Sequence, residues 1–161
     1  MLRSIRYGEW ICNDIGSLAD IEENLLMANT YHQVYLQTVF AVKYRAAVIE
    51  KEWKPKLHAV IGNLINENNC KTFIVNGVED HVHCFFGLKP LISISELMKS
   101  VKAKSSKFIN DNQLTPNRFE WQRGYGVFSY SHSQIDHVYK YIQNQESHID
   151  QQLLKRSTLI F

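Results

Sequence analysis

Between Tyr31 and Tyr130 the spacing of apolar residues switches period several times, and the order of the switches leaves few folds open. From Tyr31 to Lys43 the chain alternates as a strand does, with Val34, Leu36, Thr38, Phe40 and Val42 on one side. Trp53, Leu57, Val60, Ile61, Leu64 and Ile65 then recur at steps of three and four, which predicts a helix over roughly 51–68. Lys71 to Val75 reads as a strand, Asn76-Gly77 as a turn or bulge, and His81 to Leu88 as the next strand. A second helix follows, with Ser93 or Ser95 as N-cap and Ile94, Leu97, Met98, Val101, Phe108 and Ile109 as its buried stripe. Asn117 to Tyr130 reads as a strand kinked at Gly124 and Gly126. A last helix is expected from about Gln134 to Leu153, entered through a weak capping box of Ser133 and Asp136, with Ile135, Val138, Ile142 and Ile149 aligned. The order β-α-β-β-α-β-α predicts an α+β fold of the split βαβ, ferredoxin-like kind. Its antiparallel sheet has helices on one face, the other face open, and an added C-terminal helix. A fold of this kind says nothing of chemistry.

The chemistry begins at His81-Val82-His83. On a strand, residues two apart share a face at roughly 7 Å, so both imidazoles can reach one ion while Val82 points into the core. A histidine beside an apolar strand core needs partners for both ring nitrogens, and a metal is one such partner. Hydrogen-bonded surface histidines are the plainer reading of the pair. In the last helix Tyr141 and Gln145 are four apart and share a face. Packed beside the histidine strand, Gln145 offers a carbonyl oxygen as a third ligand and Tyr141 a phenol one turn away. An ordinary phenol at neutral pH stands about three units below its pKa, about 4 kcal/mol against forming a nucleophile. A metal that polarises a phosphodiester offsets that cost. Spacing alone leaves Tyr125, Tyr130 and Tyr139 as competitors.

Charge decides less. The chain of 161 residues carries a formal net charge of +2, too little to demand a nucleic acid, so clustering must carry that argument. Lys99, Lys102, Lys104 and Lys107 recur along the second helix, followed by Arg118, Trp121, Arg123 and Tyr125. This set suits a phosphate backbone and unpaired bases, and equally a solvated helix face. Three cysteines, Cys12, Cys70 and Cys84, have no metal-like spacing and read as reduced thiols of a cytoplasmic protein. No apolar run approaches the roughly 20 residues that span a bilayer.

Taken together, these segments resemble the single-tyrosine HUH transposases of the insertion sequence 200/605 family. The match runs in order through Tyr44-Arg45, Asp80-His81-Val82-His83, Ile94-Ser95-Glu96-Leu97, Trp121-Gln122-Arg123-Gly124-Tyr125-Gly126, Phe128-Ser129, Tyr141-Ile142-Gln143-Asn144-Gln145-Glu146 and His148. The resemblance implies a divalent metal, Mg2+ or Mn2+, on His81, His83 and Gln145, with Tyr141 as nucleophile. It implies cleavage and rejoining of single-stranded or hairpin DNA at mobile-element ends through a 5′-phosphotyrosine. It further implies a homodimer in which the tyrosine helix of one subunit can complete the other's site. Residues 1–26 have no counterpart in that pattern and are expected to be an extension to a single domain over 27–161, whose tail after His148 is short. The alternative is a decayed, catalytically idle relative that only binds hairpin or single-stranded DNA.

Overall fold

The computed structural model describes residues 31–145, and a separate unit of the chain begins at Gln33. Its elements are β1 (Tyr35–Ala41), α1 (Lys54–Glu67), β2 (Lys71–Gly77), β3 (His81–Gly87), α2 (Ile94–Asp111), β4 (Gly126–Tyr130) and α3 (Ile135–Gln143). Short 3-10 turns occupy Lys43–Arg45 and His132–Gln134. The strands lie in the order β2-β3-β1-β4, and every neighbouring pair is antiparallel. This is the ferredoxin-like α+β arrangement, with a further C-terminal helix.

The period-2 pattern sorts the two faces of the sheet. Leu36 and Phe40 of β1 and Val82, Cys84 and Phe86 of β3 turn to one face and are buried. There they meet Leu57, Ile61 and Ile65 of α1 and Leu97, Val101 and Ile109 of α2. Each such side chain, fully buried, contributes roughly 1.5–3 kcal/mol. Ser93 starts α2 with a reciprocal capping box to Glu96, which selects it over Ser95 as the N-cap. The intervening residues His81, His83 and Phe85 therefore face the opposite side. That side is only partly open, because α3 lays Val138 and Ile142 over Phe85.

Three local expectations change. Asn76 and Gly77 belong to β2 itself, and the chain turns after them, closed by a hydrogen bond from the Val78 N–H to the His81 carbonyl. Glycine is needed at 77 because a Cβ there would collide with the His81 carbonyl oxygen. The expected strand over 117–130 shrinks to Gly126–Tyr130. Trp121 makes an isolated bridge to Val42, and Gly124 at φ 79° breaks the extended path. The last helix is entered through Ser131 and Gln134 rather than Ser133 and Asp136: the Ser131 N–H and hydroxyl both donate to Gln134 Oε1 at 3.0 Å. The helix also stops sooner than expected: it ends at Gln143 with Asn144 as its C-cap, so Gln145 lies past its end rather than on one helix face with Tyr141. The expected stretch from 146 to Leu153, Ile149 included, and the extension over 1–26 lie outside the described residues. Among the described residues no helix is long and apolar enough to cross a membrane.

Candidate active site

The His81 and His83 rings stand side by side on β3, their centroids 5.0 Å apart. His81 donates from Nδ1 to Asp80 Oδ1 at 2.6 Å, and the other oxygen of Asp80 accepts from Arg45 Nε at 2.9 Å. Arg45 arrives there from an unusual backbone: Tyr44 and Arg45 both have positive φ, 61° and 55°. Non-glycine residues pay for that conformation, so the surrounding contacts must hold it. With Nδ1 engaged as a donor, His81 keeps the lone pair of Nε2 for another partner. His83 is only 7% exposed. Burial, with the neighbouring His81 ring second, pushes its imidazole down to about 4, so it is neutral at ordinary pH. Its Nδ1 lies 2.8 Å from Gln37 Nε2.

The helix carrying the tyrosine is held against this face from β2. Asn76, the cross-strand partner of His83, donates its side-chain amide to the carbonyls of Ile142 at 2.8 Å and Gln143 at 3.1 Å. Helix C-termini leave such carbonyls without partners, and Asn76 satisfies two of them. The result brings the Tyr141 ring to 6.4 Å from the His83 ring of the same chain. Tyr141 is 46% exposed, whereas Gln145, past the helix end, is 6% exposed. The buried Gln145 Nε2 finds no hydrogen-bond partner among the described residues.

Gln37, His83, Arg45, Arg123, Phe128, Tyr130 and Tyr141 are among the residues lining one cleft of about 630 Å³. Two of the competing tyrosines make side-chain hydrogen bonds. Tyr130 donates its hydroxyl to Gln37 Oε1 at 2.8 Å, and the Tyr125 hydroxyl lies 3.3 Å from Ser95 Oγ. Tyr139 precedes Tyr141 by two helical positions, about 200° away around the axis. Among the described residues no group of three His, Cys, Asp or Glu side chains could hold a metal ion. Two imidazoles and a glutamine amide carry the donor chemistry of a sparser set for a divalent cation, and imidazole suits manganese better than magnesium.

The expected DNA-binding residues divide. Arg123 lines the cleft. Trp121 does not offer its ring to a base: it packs edge-on against Phe40 and Phe119 and donates from Nε1 to Ser105 Oγ at 3.0 Å. The lysine helix lies on the other face of the sheet from the histidines. Lys102 donates to the carbonyls of Gln122 and Gly124 at 2.7 and 2.6 Å, and burial pulls its ammonium below the usual lysine range. Lys104 pairs with Glu67 at 3.4 Å and Lys107 with Asp111 at 2.6 Å. Arg118 stands 3.9 Å from Glu120, and Lys99 is exposed on α2. One residue missed from sequence is Phe128, 54% exposed in the cleft that His83 lines and the cross-strand partner of Gln37. The alternation Gly126, Phe128, Tyr130 carried that signal, since all three share the site's face.

Comparison with known proteins supplies the family. The model for "Transposase IS200 like" proteins matches residues 30–145. The ISDra2 transposase TnpA of Deinococcus radiodurans is 24% identical over 119 residues, spanning 71% of this chain and 85% of that protein. A solved structure of a Deinococcus radiodurans R1 protein assigned as a transposase superposes with a TM-score of 0.59 at 21% identity. It covers 74% of this chain and 95% of its own. A tyrosine transposase solved bound to a REP hairpin gives a TM-score of 0.54 at 12% identity, over 73% of this chain and 70% of its own. With the family match running from β1 through the turn that carries Tyr141 and Gln145, this chain belongs to the IS200-like transposase family.

Proposed function

We propose that this transposase cuts and rejoins single-stranded DNA through Tyr141, with His81, His83 and Gln145 holding a divalent cation. The observation that carries the reading is the half-exposed Tyr141 phenol beside His83, in a cleft that also holds Arg45 and Arg123. In the step proposed, Tyr141 Oη bonds to phosphorus as the bond from phosphorus to the 3′ oxygen breaks. The phenol gives up its proton, the 3′ oxygen leaves as a hydroxyl, and the 5′ phosphate stays on the tyrosine. Attack by a DNA hydroxyl reverses the bond, so its energy is conserved without ATP. Bound at the imidazoles, Mg2+ or Mn2+ supplies Lewis-acid polarisation of the phosphoryl oxygens.

The chain's own residues do the rest. Asp80, backed by Arg45, orients His81, and Asn76 docks the turn that bears the nucleophile. Arg123 and Arg45 set positive charge along the cleft where a phosphate chain would run. Phe128 offers an exposed face on which an unpaired base can stack. A hairpin is the substrate class we favour, in line with the relative solved with a REP hairpin.

Nicking of labelled hairpin DNA with and without Mn2+ tests the reading. Metal-dependent cleavage supports it, and binding without cleavage at any metal concentration favours the idle relative instead. The approach of Tyr141 to His83 of its own chain favours a site built within one chain, and a homodimer with exchanged α3 helices is the alternative. Mixing Tyr141→Phe with His83→Ala chains restores cleavage if the helices exchange, and leaves it absent if each site is built within one chain.

A further inference from the structure

The partner of His83 raises a chemical conflict with the ligand reading above, and resolving it assigns a role to two residues outside that ligand set. Gln37 is 3% exposed, on β1 beside β3. Its amide bridges two groups: Oε1 accepts from the Tyr130 hydroxyl at 2.8 Å, and Nε2 donates to His83 Nδ1 at 2.8 Å. A neutral imidazole that accepts at Nδ1 carries its proton on Nε2. In that tautomer Nε2 is a donor and cannot ligate a cation. His81 has no such conflict, because its Nδ1 donates to a carboxylate.

We infer that Gln37, anchored by Tyr130, is a positioning residue that sets which ring nitrogen of His83 carries the proton. Half a turn of the amide presents Oε1 to His83 Nδ1–H and Nε2 to the Tyr130 oxygen. Every hydrogen bond is then kept: the phenol hydroxyl accepts where it donated, and the imidazole Nδ1 donates where it accepted. One arrangement closes His83 to a cation and the other opens it, both without an orphaned buried polar group. Asp80 can only accept, so His81 is fixed in the open form and His83 alone is set by a reversible partner. Groups that hold the second ring nitrogen of a ligating histidine typically change metal affinity by about 10–100-fold when removed. The inference rests on the proposed cation site only for that consequence; the tautomer itself is a property of the metal-free chain.

Long-range 1H–15N correlation spectra of the full chain, free of metal, read the His83 tautomer directly. The wild type is expected to carry the proton on Nε2. Gln37→Glu keeps the shape but can only accept, and should move the proton to Nδ1. Tyr130→Phe removes the anchor and should give a mixture. The same His83 tautomer in all three chains, or a proton on Nδ1 in the metal-free wild type, would overturn the assignment. Mn2+ titration adds the consequence: affinity higher in Tyr130→Phe than in the wild type, by up to about 10-fold, because the open tautomer is populated before the cation arrives. Unchanged affinity in that variant also counts against the assignment. A wild type that binds no Mn2+ defeats the cation site, while the spectra still decide the role of Gln37.

Discussion

Asn76 on β2 holds the carbonyl of Ile142 on α3 at 2.8 Å, and so anchors the turn next to Tyr141 from the strand that neighbours the histidines. The nine-residue α3 is short of the length at which a helix is stable alone, and it depends on such tethers and on Val138 and Ile142. Asn76→Ala is predicted to cost the fold only about 1–2 kcal/mol. It should raise hydrogen exchange selectively in α3 and lower covalent capture of DNA more than it lowers overall stability. Uniform loss of protection across the sheet would contradict the anchoring role.

The lysines of α2 and the arginine of the cleft are predicted to behave differently. Arg123→Ala should weaken binding of single-stranded DNA and lower the slope of log affinity against log salt by about 1. Lys102→Ala should leave that slope unchanged and loosen the 122–124 loop that its ammonium ties down. Salt titrations of both variants decide, and a reduced slope in Lys102→Ala would return that lysine to the DNA surface.

Two aromatics exchange roles relative to the sequence expectation. Trp121→Ala should destabilise the fold by about 3–5 kcal/mol, as loss of a packed core ring does. Phe128→Ala should alter stability by no more than about 0.5 kcal/mol while weakening single-strand binding by about 1–3 kcal/mol. Urea unfolding and fluorescence anisotropy on the two variants give the comparison.

Alkaline pH supplies a separate check on the core. Cys84 is fully buried, and desolvation raises its thiol from 9.0 to about 12, with Thr38 beside it partly opposing the rise. The unfolded chain therefore releases this proton near pH 9 while the folded chain keeps it. The contribution is whole below about pH 9 and declines as pH rises from there toward 12. Urea midpoints should thus fall more steeply between about pH 8 and pH 10 in the wild type than in Cys84→Ala. Parallel slopes would show that Cys84 ionises as easily folded as unfolded.

Much of the fold was legible because periodicity reports burial directly. Leu36, Phe40, Val82, Phe86, Leu57, Ile61 and Val101 all lie where alternation or helical spacing puts them. The boundaries were less legible where one residue type serves two purposes. Asn76-Gly77 has the composition of a turn, yet Asn76 is a strand residue whose amide caps another helix 66 positions away, a contact no local rule contains. Trp121 and Lys102 differ from expectation for a related reason: composition shows that a ring or an ammonium exists, but only packing shows what already occupies it. The histidine pair and Tyr141 were legible as a set, and Gln37 was not, since a glutamine inside an alternating strand carries no signal of its own.

Covalent capture is the most direct test of the central claim. The full chain, incubated with Mn2+ and single-stranded DNA from the flanks of its own coding sequence, is resolved by denaturing electrophoresis and the adduct mapped by peptide mass. The prediction is a metal-dependent adduct on the peptide bearing Tyr141, absent in Tyr141→Phe and retained in Tyr139→Phe. An adduct that persists in Tyr141→Phe, or maps to Tyr125 or Tyr130, would contradict it.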